Sequence, residues 1–245
     1  MAQNHRWLKI QRVVKRGMDF TLALAGLILL CPFYLLIALI IKLDSPGKAI
    51  YRHRRIGKQG IPFDMYKFRT MASDNNDAGY MQYLNTLIES EINGKDSALP
   101  YRKLEGDPRV TKVGKALRCF YLDELPQLAN VLKGDMSLVG PRPHVQFEVD
   151  HYKPEQLRRL SVRPGMTGLW QIEGKAECSF SELIEVDLSY IDRWSLWSDI
   201  RILGLTFYSL ILGGEKFIME RRQKKPVEKP VVINETDKLK NWLRW

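Results

Sequence analysis

At 245 residues, 45% of them hydrophobic, the chain has material for one large domain, or one domain plus an anchor, around a real core. Its formal charge of +10 is unevenly spread. Residues 1–60 hold eleven Lys and Arg against Asp19 and Asp44, residues 216–245 hold nine basic against four acidic groups, and the stretch between is net acidic. Basic charge that brackets an apolar run and fills a tail suits an anionic membrane surface better than nucleic acid, which is not expected as a partner. Cys31, Cys119 and Cys178 are distant and odd in number, which excludes a disulfide framework and a Cys-x-x-Cys metal pair. They read as reduced thiols of a cytosol-facing protein. His5, His53, His144 and His151 form no zinc-protease pattern, and P-loop, nucleophile-elbow and dinucleotide-binding glycine motifs are absent.

The first predicted element is the run Phe20–Ile41, 22 residues without a charge. That length can cross a bilayer once. Two features favour a re-entrant hairpin instead. Arg12, Lys15 and Arg16 precede the run and Lys42, Lys48, Arg52, Arg54 and Arg55 follow it, so both flanks ask to be cytoplasmic. Pro32, in the middle, removes a backbone donor and favours a kink.

Residues 48–71 read as short extended segments, with turns at Gly47, Gly57 and Gly60 and a strand-like alternation from Phe63 to Phe68. Residues 72–106 read as a polar surface insertion with one amphipathic helix between Tyr80 and Ile92. Val110, Val113, Leu117 and Phe120 keep a helical period, and a second helix is predicted to run from Asp123 to Gly134. Gly140-Pro-Arg-Pro143 must be a rigid loop. Residues 146–160 look helical, Arg163–Gly168 is a second Pro/Gly loop, and Leu169–Ile172 is predicted as a short strand. Phe180–Asp192 and Leu196–Leu212 are predicted amphipathic helices, the last apolar enough to cover the core or lie on a membrane. Residues 221–240 read as a loose tail, after which Trp242, Leu243 and Trp245 could touch the interface. The expected fold is α/β and mostly helical: a basic N-terminus and re-entrant membrane helix (1–47), a cytosolic catalytic domain with a small sheet and interfacial helices (48–215), and a basic tail (216–245).

The chemistry concentrates at Asp123-Glu124. In its plainest role Asp123 is a helix N-cap and Glu124 a first-turn acid. The same position would also set adjacent carboxylates against a phosphate held by the helix end, one attacking phosphorus and the other helping to hold a metal. Lys67, Arg69, Arg109, Arg118, Arg142 and Arg163 are the candidate phosphate binders, with Lys133 nearby. Arg142, between two prolines, and Arg163, before Pro-Gly, have directions fixed by rigid loops. Gly134, Gly140, Gly165 and Gly168 would let backbone N–H groups approach an anion.

The order Lys15-Arg-Gly-Met-Asp-Phe20, apolar run with central Pro32, Tyr66-Lys-Phe-Arg-Thr-Met71, Leu122-Asp-Glu-Leu-Pro-Gln127, Lys133-Gly-Asp-Met-Ser-Leu-Val-Gly-Pro-Arg-Pro143 and Arg163-Pro-Gly-Met-Thr-Gly-Leu-Trp-Gln171 closely resembles the bacterial sugar transferases. These are the monotopic phosphoglycosyl transferases that begin exopolysaccharide, O-antigen and related glycan assembly, and the likeness covers about residues 12–215. It implies a re-entrant membrane helix, Mg²⁺ dependence, and transfer of a hexose 1-phosphate from a UDP-sugar to undecaprenyl phosphate at the cytoplasmic face of the bacterial inner membrane. It implies Asp123 as nucleophile, Asp123 and Glu124 at the metal, release of UMP, and a role for Arg142 in the family's Pro-Arg-Pro loop. Cys31-Pro32 stands where some members have Ser-Pro. The 72–106 insertion and Gly168-Leu-Trp-Gln171 are more like the hexose-1-phosphate members, which favours UDP-glucose or UDP-galactose. Membrane lipids are an expected partner and a homodimer is allowed. The alternative kept open is a non-enzymatic, membrane-tethered interaction module.

Overall fold

A helix break at Leu30, two residues before Pro32, organises the N-terminal part of the fold. The computed structural model describes residues 2–72, 82–88, 107, 109–173 and 179–211, with side chains from Ile10 onward. Most of the expected insertion, Cys178 and the C-terminal tail lie outside them. Helix α1 runs Ala2–Leu29 and α2 Cys31–Asp44, and their axes are bent by 62°. Pro32 falls in the first turn of α2, where a missing N–H has no intrahelical partner to lose. Among the described residues no single helix is long and apolar enough to cross a membrane, but the bent pair together has the length and composition.

Two strands follow, β1 (Ile50–Ile56) and β2 (Pro62–Phe68), paired antiparallel with Tyr51 opposite Lys67 and His53 opposite Met65. A helix over residues 82–88, α3, packs Leu84, Leu87 and Ile88 against a later helix. Helix α4 (Lys112–Cys119) is capped by Thr111, whose hydroxyl accepts from Gly114 N. Gly114 is obligatory here, because a Cβ would lie 2.0 Å from the Thr70 carbonyl oxygen. That approach brings α4 onto the end of β2.

The predicted helix from Asp123 does not form as one piece. Leu122–Glu124 is a single 3-10 turn entered through Tyr121 at φ 55°, and α5 begins at Gln127, after Pro126, and ends at Gly134 as expected. Leu125 and Pro126 keep helical backbone angles, but Pro126 has no N–H to donate back to Leu122 O, which interrupts the helical ladder here. The chain then enters β3 (Ser137–Val139), which pairs in parallel with β4 (Gly165–Thr167). Between them lie α6 (Gln146–Asp150) and a 3-10 segment Pro154–Ser161 in place of one continuous helix; Pro154 supplies the interruption. Leu169–Glu173 is helix α7 rather than a strand, with Ile172 N donating back to Gly168 O. Helices α8 (Phe180–Asp192) and α9 (Leu196–Ile211) match their predicted spans closely.

The main core gathers Ala23 of α1, Phe63 and Met65 of β2, Leu128 and Val131 of α5, Met136, and Ile202 of α9. Helix α1 is fastened to it by polar contacts. Arg16 donates to Val131 O at 2.7 Å and Leu132 O at 2.9 Å, closing carbonyls at the C-terminal end of α5. Asp19, 2% exposed, accepts from Ser137 Oγ at 2.8 Å and Leu138 N at 3.1 Å. Lys15 binds Val139 O and the fully buried Asp199. These charges were expected to face a membrane surface; the fold turns Lys15 and Arg16 inward.

Candidate active site

Asp123 is 3% exposed and sits between the end of α4 and the start of α5. Its neighbour Glu124 is the junction of the site. Lys67 Nζ donates to Glu124 Oε1 at 2.9 Å, and Arg142 Nη2 donates to the same oxygen at 3.2 Å. Lys67 reaches it because it is the penultimate residue of β2, on the same face as Met65, whose side chain enters the core. Arg142 reaches it from the loop after β3. The carboxylate side chain is 12% exposed and the two cations 13% and 23%, so the pairs are only lightly screened by water.

Arg118 approaches from α4. Its Nε donates to Thr70 Oγ1 at 2.9 Å. Burial lowers the guanidinium's pKa, while the carboxylates of Asp123 and Asp107 raise it. Arg109 stands beside it and grips Asp107 with Nε at 2.9 Å and Nη2 at 2.6 Å. That grip, led by the side-chain hydrogen bond, lowers the Asp107 carboxyl to about 2.

Two candidates lie elsewhere. Arg69 is buried against the C-terminal end of α2, where it donates to Ser45 O at 2.6 Å, Ser45 Oγ at 3.1 Å, Ile41 O at 3.3 Å and Pro46 O. Arg163 is exposed and donates from Nε to Gly134 O at 2.7 Å. Lys133 binds the Tyr66 hydroxyl at 2.6 Å and lies over its ring. The N–H groups of Gly134, Gly140 and Gly165 are committed to backbone carbonyls and form no anion cradle. Gly140 N donates to Thr167 O and Gly165 N to Pro141 O, and a Cβ on Gly165 would lie 2.1 Å from Gly140 N. Their small size lets two backbones touch and sets the Pro-Arg-Pro loop beside β4.

Sequence reasoning missed His53. It lies on β1 on the same face as Tyr51 and Arg55, diagonal to Lys67, and its Nδ1 is 3.3 Å from Arg55 Nη2. Burial first, then the charges of Arg55, Lys67 and Arg142, push its pKa down to about 3, so the ring is neutral at physiological pH. The period-two alternation Tyr51, His53, Arg55 carried the signal once the hairpin register was known.

Among the described residues no group of three or more His, Cys, Asp or Glu side chains gathers into a metal cage. Asp123 and Glu124 nevertheless suit a hard cation of the magnesium type, which takes one or two carboxylates and completes its shell with substrate phosphate oxygens and water.

The arrangement is a buried carboxylate next to a second one held by two cations, with a third cation beside it. A family described as bacterial sugar transferase matches residues 10–213. A galactosyl transferase, CpsE, of Streptococcus agalactiae is 43% identical over 202 residues, 82% of this chain and 43% of that protein. The exopolysaccharide production protein ExoY of Sinorhizobium fredii is 40% identical over 201 residues, 82% of this chain and 87% of that protein. A UDP-glucose:undecaprenyl-phosphate glucose-1-phosphate transferase of Caulobacter vibrioides is 43% identical over 205 residues, 80% of this chain and 69% of that protein. The chain therefore spans under half of the streptococcal relative and most of the rhizobial one.

Proposed function

The chain belongs to the bacterial sugar transferase family, and on that premise we propose that it transfers a hexose 1-phosphate from UDP-glucose or UDP-galactose to undecaprenyl phosphate. The observation that carries the reading is the burial of Asp123 beside Arg118, next to a Glu124 already fixed by Lys67 and Arg142. An Asp123 carboxylate oxygen attacks the sugar-bearing phosphorus of the donor. The bond from that phosphorus to the bridging oxygen breaks, and UMP leaves with its electron pair. An oxygen of undecaprenyl phosphate then attacks the aspartyl phosphosugar, forming the lipid diphosphate and returning the Asp123 carboxylate. Arg142, Arg118 and Lys67 neutralise phosphate oxygens, and an anionic site without them would repel the donor. A magnesium ion held by Asp123 and Glu124 would, when bound, offset further diphosphate charge.

The bent α1–α2 pair is read as a re-entrant anchor that leaves the site at the cytoplasmic face of the inner membrane. Its apolar exposed residues, among them Leu29, Leu35 and Leu43, support contact with lipid. Exposed Trp197, Phe207 and Ile211 on α9 are of the same kind.

The test is Asp123→Asn. The folded, membrane-bound variant should form no lipid-linked product, because an amide cannot supply the attacking oxygen. Wild-type protein with radiolabelled donor alone should acquire a phosphosugar on Asp123 and exchange labelled UMP into donor. Substantial turnover by Asp123→Asn, or absence of UMP exchange, defeats the covalent route.

A further inference from the structure

The loop that carries Arg142 is held by its carbonyls. Pro141 O accepts from Gly165 N at 2.8 Å, Pro143 O from Arg55 Nη1 at 3.2 Å and His144 O from Ile56 N at 2.9 Å. The carbonyl of Arg142 itself accepts from Arg159 Nη2 at 2.5 Å. Arg159, in the 3-10 segment Pro154–Ser161, is 3% exposed and ties Asp187, Tyr152 and Arg142 together, its Nη2 also lying 2.7 Å from Asp187 Oδ2. Nε donates to Asp187 Oδ2 of α8 at 2.8 Å, Nη1 to the Tyr152 hydroxyl at 2.8 Å, and Nη2 to Arg142 O.

A buried ion pair such as Arg159–Asp187 is weak evidence for stability, since burying both charges costs about as much as their attraction returns. Its geometry offers a better account. Pro141 and Pro143 leave the Arg142 backbone little freedom of its own. Once the carbonyl is fixed, the side chain leaves the loop in one direction, towards Glu124 Oε1. The two arginines thus form a relay in which α8 sets the aim of a guanidinium in the site.

We infer that Arg159, oriented by Asp187, is a positioning residue that aims Arg142 at the phosphate-binding site. The inference rests on the function proposed above. Displacement of a positioned charge by about 1 Å can cost on the order of a hundredfold in rate, and a lysine at 159 can keep the ion pair but cannot span Asp187, Tyr152 and the Arg142 carbonyl together.

The experiment is a double-mutant cycle on the full-length, detergent-solubilised protein. It uses radiolabelled UDP-glucose and UDP-galactose with undecaprenyl phosphate, and reads kcat and KM for the donor beside thermal unfolding. Arg159→Lys alone should lower kcat/KM about tenfold or more, and in an Arg142→Ala background by less than about twofold, because the group it aims is gone. Asp187→Asn should show the same dependence on Arg142 with a smaller loss. Equal losses in both backgrounds make Arg159 a scaffold residue and overturn the inference while the proposed reaction stands. So does loss of folding by both Arg159→Lys and Asp187→Asn when Arg142→Ala folds. Wild-type protein that forms no product from either donor refutes the proposed function and takes the inference with it.

Discussion

Replacing Arg69 by Met separates two roles that the motif Tyr66-Lys-Phe-Arg-Thr-Met71 leaves entangled. In the fold, Arg69 closes the C-terminal end of α2 with hydrogen bonds to three carbonyls and one hydroxyl. A hydrogen bond to a charged group contributes about 1.5–3 kcal/mol, and a buried acceptor left alone costs about 1–3 kcal/mol. Ile41 O would keep the Ser45 N–H at 3.2 Å and Pro46 keeps a further interaction, so the carbonyl and hydroxyl of Ser45 carry the loss. Against this, Arg69 Nε is buried with no acceptor, and its removal returns on the order of 1 kcal/mol. The net is about 2 kcal/mol, or roughly 4–8 °C in Tm for a chain of this size. Thermal unfolding in detergent reads the first quantity, and kcat/KM of the folded fraction reads the second, expected within about threefold of wild type. Arg69→Lys, which keeps the charge but reaches fewer carbonyls, should fall between. An unchanged Tm with a hundredfold loss of kcat/KM would place Arg69 on substrate phosphate and refute this assignment.

His53→Gln should flatten the acid limb of the stability curve. The folded ring has its pKa lowered to about 3 from an ordinary 6.5, so the unfolded chain binds the extra proton and wild-type stability drains away as pH falls from about 6.5 towards 3. The variant should lose less over that window, measured by chemical denaturation at pH 7 and pH 4.5; parallel losses would show that the ring is not held neutral. Gly165→Ala should block folding, since its Cβ would meet Gly140 N at 2.1 Å, whereas Gly204→Ala, with nothing within 4 Å on α9, should add about 0.5–1 kcal/mol. Equal expression and Tm for the two alanine variants would contradict the backbone contact.

The elements legible in the sequence were those whose signal is local. Phe63–Phe68 alternates, Phe180–Asp192 keeps a 3.6 period behind its Ser179–Glu182 capping box, and both formed where predicted. The failures came from tertiary competition. Leu169–Ile172 is apolar enough for a strand, but the β3–β4 ladder ends at Thr167, and the chain coils back onto Gly168 O. Asp123 looked like an N-cap because the helical period continues through Leu125 and Leu128, yet Pro126 holds the helix back to Gln127. In the site, Lys67, Glu124 and Arg142 are brought together as basic and acidic motifs suggested, although no sequence rule states that one oxygen of Glu124 takes both cations. Arg69 and Arg163 carry the same residue type and spend it on carbonyls. His53 was hidden because a lone histidine in Arg52-His-Arg54 shows its face only when paired with β2.

The bend between α1 and α2 was read from Pro32, but Pro32 alone does not account for it. The kink penalty of an interior proline, about 3 kcal/mol, vanishes in Pro32→Leu. Burial of Ile37 and Ile41 against Phe68 and Leu117 does little to oppose straightening in a bilayer, where lipid tails replace that contact at small cost. Polar contacts remain. Tyr34 donates to Leu125 O at 2.5 Å, contributing about 1 kcal/mol, and the Arg69 set adds about 2 kcal/mol by the same accounting. These contacts survive Pro32→Leu, so that chain should remain bent, whereas Pro32→Leu with Arg69→Met keeps only the Tyr34 bond and should shift towards the straight form. In a background with the native cysteines replaced by serine, Gln3→Cys and Lys48→Cys report the two ends to a membrane-impermeant thiol reagent applied to intact cells. Both sites should be protected in the wild-type and single-variant chains, and one should become labelled in the double variant. Labelling of one end in Pro32→Leu alone would return the bend to the proline, and labelling of one end in the parent would replace the hairpin by a span.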